Sequence, residues 1–126
     1  AEAKGIPLAH EMSRQSGKKY FVARKKPKLY MTGVFDVIVN SITTEGEQHL
    51  YHDTAEAEET KGKKVIIVDD VISTGESLKA VQTLVEKAGV ILAGNLAILA
   101  EGEAADRDDL IYLERLPLFD AEGNVL

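Results

Sequence analysis

The chain has no cysteine and no tryptophan, only three prolines, and aromatic side chains at just 6% of its 126 residues. Without cysteine there is no disulfide framework, no thiolate metal site and no cysteine nucleophile. A reducing, cytoplasmic setting is compatible with that absence. Long apolar runs are also missing: the longest hold only a few residues, too short for a membrane-spanning helix. No signal-peptide pattern and no initiator Met open the chain, which starts Ala1-Glu2-Ala3-Lys4 and reads like the interior of something longer. Phosphate-loop and dinucleotide-fingerprint glycine patterns are absent too. What remains is 44% hydrophobic and 29% charged, the mix of one ordinary globular domain with enough length to bury a core.

Charge is unevenly placed. The net charge is −6, yet residues 1–30 carry eight bases against Glu2 and Glu11 only, and the acids crowd the remainder. An acidic chain is a poor general nucleic-acid binder, whereas a confined basic segment suits a small anion such as a phosphate. His10, His49 and His52 are scattered and lack a supporting cluster, so they read as ordinary surface or hairpin side chains.

Hydrophobic spacing predicts the elements. Ile6 to Gln15 reads as a short helix that opens with Pro7 and stops at Gly17. Tyr20 to Ala23 is a compact apolar run, read as a buried strand, followed by the cationic loop Arg24-Lys25-Lys26-Pro27-Lys28. Residues 31–52 read as a hairpin or flap, with strands near Val34–Val39 and Gln48–Tyr51. Asp53 to Lys64 reads as a loop with at most a helical turn. Val65 to Val68 is rich in β-branched side chains and fits a central parallel strand buried on both faces. A loop over Asp69–Gly75 leads into the clearest helix, Glu76 to Ala88, where Leu78, Val81, Leu84, Val85 and Ala88 form one stripe. Further strands lie within Ile91–Leu99 and at Ile111–Leu113. This order predicts an α/β fold in one domain, with parallel strands on either side of the 76–88 helix.

The chemistry concentrates in Val65–Ser77. A buried strand would deliver Asp69 and Asp70 to its C-terminal edge, the edge at which open α/β sheets bind ligands. The loop that follows carries Ser73, Thr74, Gly75 and Ser77 and ends at a helix N-terminus, an arrangement of amides and hydroxyls that cradles anions. Carboxylates repel phosphate, so the acids need another partner. Sugar hydroxyls or a hydrated Mg²⁺ both serve, and a phosphorylated sugar satisfies acids and cradle together. The bland alternative is a pair of edge carboxylates beside an ordinary helix cap.

Val65–Ser77 resembles the phosphoribosyl-pyrophosphate signature of the type I phosphoribosyltransferases: four apolar residues, two acids, two apolar residues, then a small-Thr-Gly loop. Glu2–Pro7, about 65 residues upstream, is similar to the pyrophosphate loop of that family, and Arg24, Lys25 and Lys28 resemble an Arg-Lys-x-x-Lys stretch of its adenine-specific branch. Leu113–Leu118 is similar to the closing strand of that branch. The resemblance implies a type I phosphoribosyltransferase-like, Rossmann-like sheet, mostly parallel, flanked by helices and carrying a hairpin flap. It implies that residues 1–126 are a single core domain without the family's first strand and base-covering hood.

The resemblance further implies a purine phosphoribosyltransferase of purine salvage, adenine first, that makes AMP and pyrophosphate from adenine and phosphoribosyl pyrophosphate (PRPP). Asp69 and Asp70 would hold the ribose hydroxyls, and Ser73 to Ser77, including Thr74, Gly75 and Glu76, the 5-phosphate. Glu76 departs from the glycine of many relatives. Ala3, Lys4, Gly5, Arg24, Lys25 and Lys28 would take the pyrophosphate, and Val71 or Ile72 would floor the base. Asp69, Asp70, Lys4 and Lys25 are the catalytic candidates. Ser73 stands where hypoxanthine-guanine members usually carry aspartate, which favours adenine. Glu45, Glu47 and Tyr51 are lid candidates. Mg²⁺ would arrive on PRPP, with Asp70 and water as the protein-side link rather than a direct metal site. A homodimer is implied as well. The alternatives are a non-catalytic PRPP-sensing regulator with this fold and an unrelated sugar-phosphate binder.

Overall fold

The computed structural model describes residues 4–24, 34–40 and 47–126. Helix α1 spans Gly5–Ser16, hairpin strands β1 and β2 span Val34–Asn40 and Glu47–Asp53, and helix α2 spans Thr54–Thr60. Strand β3 (Lys64–Ile72), helix α3 (Glu76–Lys87) and strand β4 (Ile91–Glu101) follow, then a 3-10 helix (Gly102–Asp106) and strand β5 (Leu110–Leu116).

Two sheets result. One is the antiparallel β1–β2 hairpin, in register from Val34 opposite Asp53 to Asn40 opposite Glu47. The other has the order β3-β4-β5 and is parallel throughout, so the strands flanking α3 run parallel as the spacing predicts. β-Branched Val65, Ile66, Ile67, Val68, Val71 and Ile72 favour the extended chain of β3, and helix formers dominate α3. The core forms where the α3 stripe meets the sheet: Leu78, Ala80, Val81 and Leu84 pack with Ile67, Ile72, Ala97, Ala100 and Leu110. Leu84, only 1% exposed, lies at its centre. The hairpin strands lie alongside α3.

Four expectations need correction. Val65–Val68 is not a central strand buried on both faces: β3 lies at the edge of the described β3-β4-β5 sheet, β4 is the middle strand, and Ile66 is 46% exposed. Tyr20–Ala23 is not a strand: Tyr20 is 39% exposed and the other three residues are half-buried. An apolar run signals burial, but strand geometry also needs a partner with free backbone groups. Asp53–Lys64 is more ordered than a loop, because Ala-Glu-Ala-Glu-Glu propagates helix α2 to a buried Thr60, whose hydroxyl donates to the Glu56 carbonyl at 3.1 Å. The loop expected at Asp69–Gly75 shrinks to Ser73–Gly75, since β3 runs on through both acids to Ile72.

Candidate active site at the C-terminal edge of the sheet

Parallel strands point their C-terminal ends to one edge, and there β3 presents Asp69 and Asp70. Both lie within the strand and are half-buried. The Asp69 Oδ1 accepts the Asp70 backbone N–H at 2.9 Å. Burial, and then a side-chain hydrogen bond with Asp70, push the Asp69 carboxyl above the ordinary carboxylate range. The two acids thus sit next to each other, half-buried, near the end of the strand.

The N-terminus of α1 meets this pair. Gly5 is buried, and a Cβ built on it would lie 3.0 Å from Asp69 Oδ1, 3.3 Å from Asp69 Cα and 3.4 Å from the Val68 carbonyl. Only a residue without a side chain lets the helix start so close to the strand. No acid stands in the first turn of α1, so its free amides and positive dipole end face the acids with Lys4, an exposed residue, at the cap.

On the other side of the acids, Ser73–Gly75 turns into α3. Gly75 adopts φ +85°, a left-handed conformation that other residues adopt only under strain, and it caps α3. The Thr74 hydroxyl accepts the Glu76 N–H at 3.4 Å, and the Ser73 hydroxyl donates to Glu101 at 2.9 Å. Glu76 is half-buried in the first turn of α3, and Ser77 is exposed next to it. Two helix N-termini therefore lie near two carboxylates, an arrangement chemically suited to anions beside a hydrogen-bonding or cation-binding centre.

Of the residues picked from sequence, Lys4, Gly5, Asp69, Asp70, Ser73, Thr74 and Gly75 line this edge. Ile72 belongs to the core at 3% exposure, whereas its neighbour Val71 is half-buried. Arg24 is half-buried just beyond the Tyr20–Ala23 segment. Ala3, Lys25, Lys28 and Glu45 fall outside the described residues, while Glu47 and Tyr51 stand on β2 opposite Asn40 and Asp36. Among the described residues no three His, Asp or Glu side chains cluster to hold a metal, and no helix is long and apolar enough to cross a membrane.

Two participants were not evident from sequence. Glu101 ends β4 next to the loop and holds Ser73, and Arg107 lies over Gly75 with its guanidinium paired to Asp109. Neither belongs to a local pattern; the parallel pairing of β3 with β4, and of β4 with β5, brings them in. A cavity of about 610 Å³ lies elsewhere, between α1, Tyr20–Ala23 and the N-terminal half of β3. Its lining includes Gly5 and Val68 but neither Asp69 nor Ser73.

Known proteins give the same picture. The model of the phosphoribosyl transferase domain matches residues 2–116. The chain belongs to the phosphoribosyltransferase family. It is 36% identical over 107 residues to a hypoxanthine/guanine phosphoribosyltransferase of Methanococcus voltae, covering 85% of this chain and 54% of that protein. It is also 37% identical over 100 residues to an adenine phosphoribosyltransferase of a Thermotoga species, covering 79% and 55%. The chain thus spans about half the length of the curated relatives it matches. Among solved structures, the adenine phosphoribosyltransferase of Thermoanaerobacter pseudethanolicus superposes with a TM-score of 0.78 at 23% identity, over 91% of this chain and 67% of the other. The Saccharomyces cerevisiae adenine phosphoribosyltransferase, solved with an imino-altritol bisphosphate and adenine, gives 0.75 at 23% identity, over 89% and 63%. These likenesses establish the type I phosphoribosyltransferase fold.

Proposed function

We propose that the chain is the PRPP-binding core of a purine phosphoribosyltransferase. The observation that carries this reading is the convergence of two helix N-termini on Asp69 and Asp70, with Gly5 in direct approach to Asp69. PRPP has a phosphate at one end, a diol in the middle and a pyrophosphate at the other. Ser73–Ser77 take the 5-phosphate through amides and hydroxyls, Asp69 and Asp70 accept hydrogen bonds from the ribose hydroxyls, and Lys4 and Gly5 take the pyrophosphate. Arg24, Lys25 and Lys28 add cationic charge for the same group.

In the reaction, a purine nitrogen attacks ribose C1 and the C1–oxygen bond to pyrophosphate breaks with inversion. Positive charge builds on the ribose ring and negative charge on the departing pyrophosphate. Asp69 and Asp70 face the first; Lys4, Lys25 and the α1 amides stabilise the second. The oxygen-only donors Asp69 and Asp70 suit Mg²⁺. When bound, that ion supplies further charge neutralisation for the leaving group. The β1–β2 hairpin, alongside α3, is the natural lid that excludes water from the reacting bond.

Adenine is the first base to test, because Ser73 replaces the aspartate usual in hypoxanthine-guanine members. The hypoxanthine/guanine reading has its own support in the Methanococcus relative. Nothing among these findings favours the regulator. The decisive assay supplies the full-length protein with Mg²⁺, PRPP and adenine, hypoxanthine or guanine in turn, and follows pyrophosphate release. Turnover with adenine above the other two is the expected result; preference for a 6-oxopurine overturns the adenine choice, and no turnover with any base defeats the enzyme.

A further inference from the structure

The least conventional feature of the site is a cation placed against the positive end of a helix. Arg107 extends over Gly75, the cap of α3, so closely that a Cβ on Gly75 would collide with Arg107 Nη1 and lie 3.6 Å from its Cζ. Helix dipole logic disfavours this, since N-termini attract anions and repel cations. The guanidinium uses only one edge to pair with the nearby Asp109. Its Nε donates to Asp109 Oδ1 and its Nη2 to Asp109 Oδ2, both at 2.8 Å, which occupies one edge of the fork. The Nη1 end, which faces Gly75, has no hydrogen-bond partner among the described residues.

The turn that carries Arg107 is anchored. Buried Asn95, 4% exposed in β4, donates from Nδ2 to the Asp109 carbonyl at 2.9 Å and accepts from Gln82 of α3 at 3.3 Å. The Tyr112 hydroxyl donates to the Ala105 carbonyl at 2.8 Å. A bidentate carboxylate orients the guanidinium plane, two polar ties hold the turn, and a glycine clears the space in front of it. An exposed ion pair serving stability alone needs none of these and contributes little.

We propose that Arg107 is a phosphate-binding residue of the Ser73–Ser77 loop, its Nη1 donating to the sugar's 5-phosphate while Asp109 holds the opposite edge of the fork. Two positive features that repel each other in the free chain become complementary once a phosphate lies between them. Asp109 and Asn95 are positioning residues that fix where the guanidinium points. The inference rests on the assignment of that loop to a sugar phosphate.

The test is calorimetric titration of the full chain with three probes: PRPP, ribose 5-phosphate and inorganic pyrophosphate. Arg107→Met is expected to weaken PRPP and ribose 5-phosphate by about tenfold or more. Pyrophosphate affinity and melting temperature should stay at wild-type values. Arg107→Lys should recover part of the loss, having charge without the fork, and the Arg107→Met chain should bind sugar phosphate with a shallower salt dependence. Unchanged ribose 5-phosphate affinity in Arg107→Met overturns the inference and leaves the proposed function standing. Equal losses for pyrophosphate and ribose 5-phosphate with a lowered melting temperature also overturn it, by making the role structural. The double variant Asp69→Asn, Asp70→Asn tests the other reading separately: wild-type PRPP affinity there removes the diol assignment. A wild-type chain that binds neither sugar phosphate overturns both.

Discussion

Replacing Gly5 by alanine tests whether the close approach of α1 to β3 builds the site. The new methyl would meet Asp69 Oδ1 at 3.0 Å, Asp69 Cα at 3.3 Å and the Val68 carbonyl at 3.4 Å. The first contact can be relieved by turning a carboxylate. The other two involve backbone of a paired strand, so relief means lifting the start of α1 by a few tenths of an ångström. Overpacking of this kind costs about 1–3 kcal/mol, while better helix propensity returns up to about 1 kcal/mol, and less at a first-turn position. The net expectation is a loss of about 1–2 kcal/mol, a drop of roughly 3–8 °C in melting temperature for a chain of this length. Valine should cost more than alanine, because its branches leave no direction free of the strand. Affinity for pyrophosphate should fall with the displacement, since the α1 amides move away from the acids. Thermal unfolding and pyrophosphate titration of the wild-type, Gly5→Ala and Gly5→Val chains provide the check. A Gly5→Ala chain as stable as wild type, with unchanged pyrophosphate affinity, would refute the reasoning, because the helix would then have room that the packing denies it.

Asp69→Asn should stabilise the chain at neutral pH. The folded state raises the Asp69 pKa above its usual 3.8, so its favourable contribution is complete below 3.8 and is lost as pH rises through the raised value. The variant-minus-wild-type stability should therefore vanish in acid and grow toward neutrality, with the exposed carboxylates Glu11, Glu59, Asp109 and Asp120 cancelling in the difference; a flat difference across pH contradicts this. Leu84→Ala, at 1% exposure, should lose about 2–5 kcal/mol in denaturant unfolding; a loss under about 1 kcal/mol means the core lies elsewhere. Asn95→Ala should cost about 1–2 kcal/mol and loosen the Asp109 turn, read as faster amide exchange at residues 105–109; unchanged exchange would show the turn holds without it.

The legible parts of this chain were those whose physics is local. Helix α3 was readable because its apolar stripe repeats at the helical period, and β3 because a run of β-branched residues followed by two acids fits few other arrangements. The acids, the Ser-Thr-Gly turn and the short amphipathic α1 were found for the same reason. Tyr20–Ala23 misled because apolarity reports burial, and half-burial against a cavity looks the same in sequence as a strand. Sequence could not separate Val71 from Ile72, because neighbours along one strand differ in burial once a helix packs over its end, and that depends on Leu78, Ala100 and Ala104.

From the amino-acid order alone come the α/β class, the parallel pairing around α3, the paired acids at the strand's end and the Ser-Thr-Gly turn, since each depends on periodicity or on side chains within a few residues of one another. Folding in three dimensions was needed to put Gly5 against Asp69, Glu101 on Ser73 and Arg107 over Gly75. Those pairs are remote in the chain, and parallel strand register and close packing alone determine which distant side chains share one sheet edge.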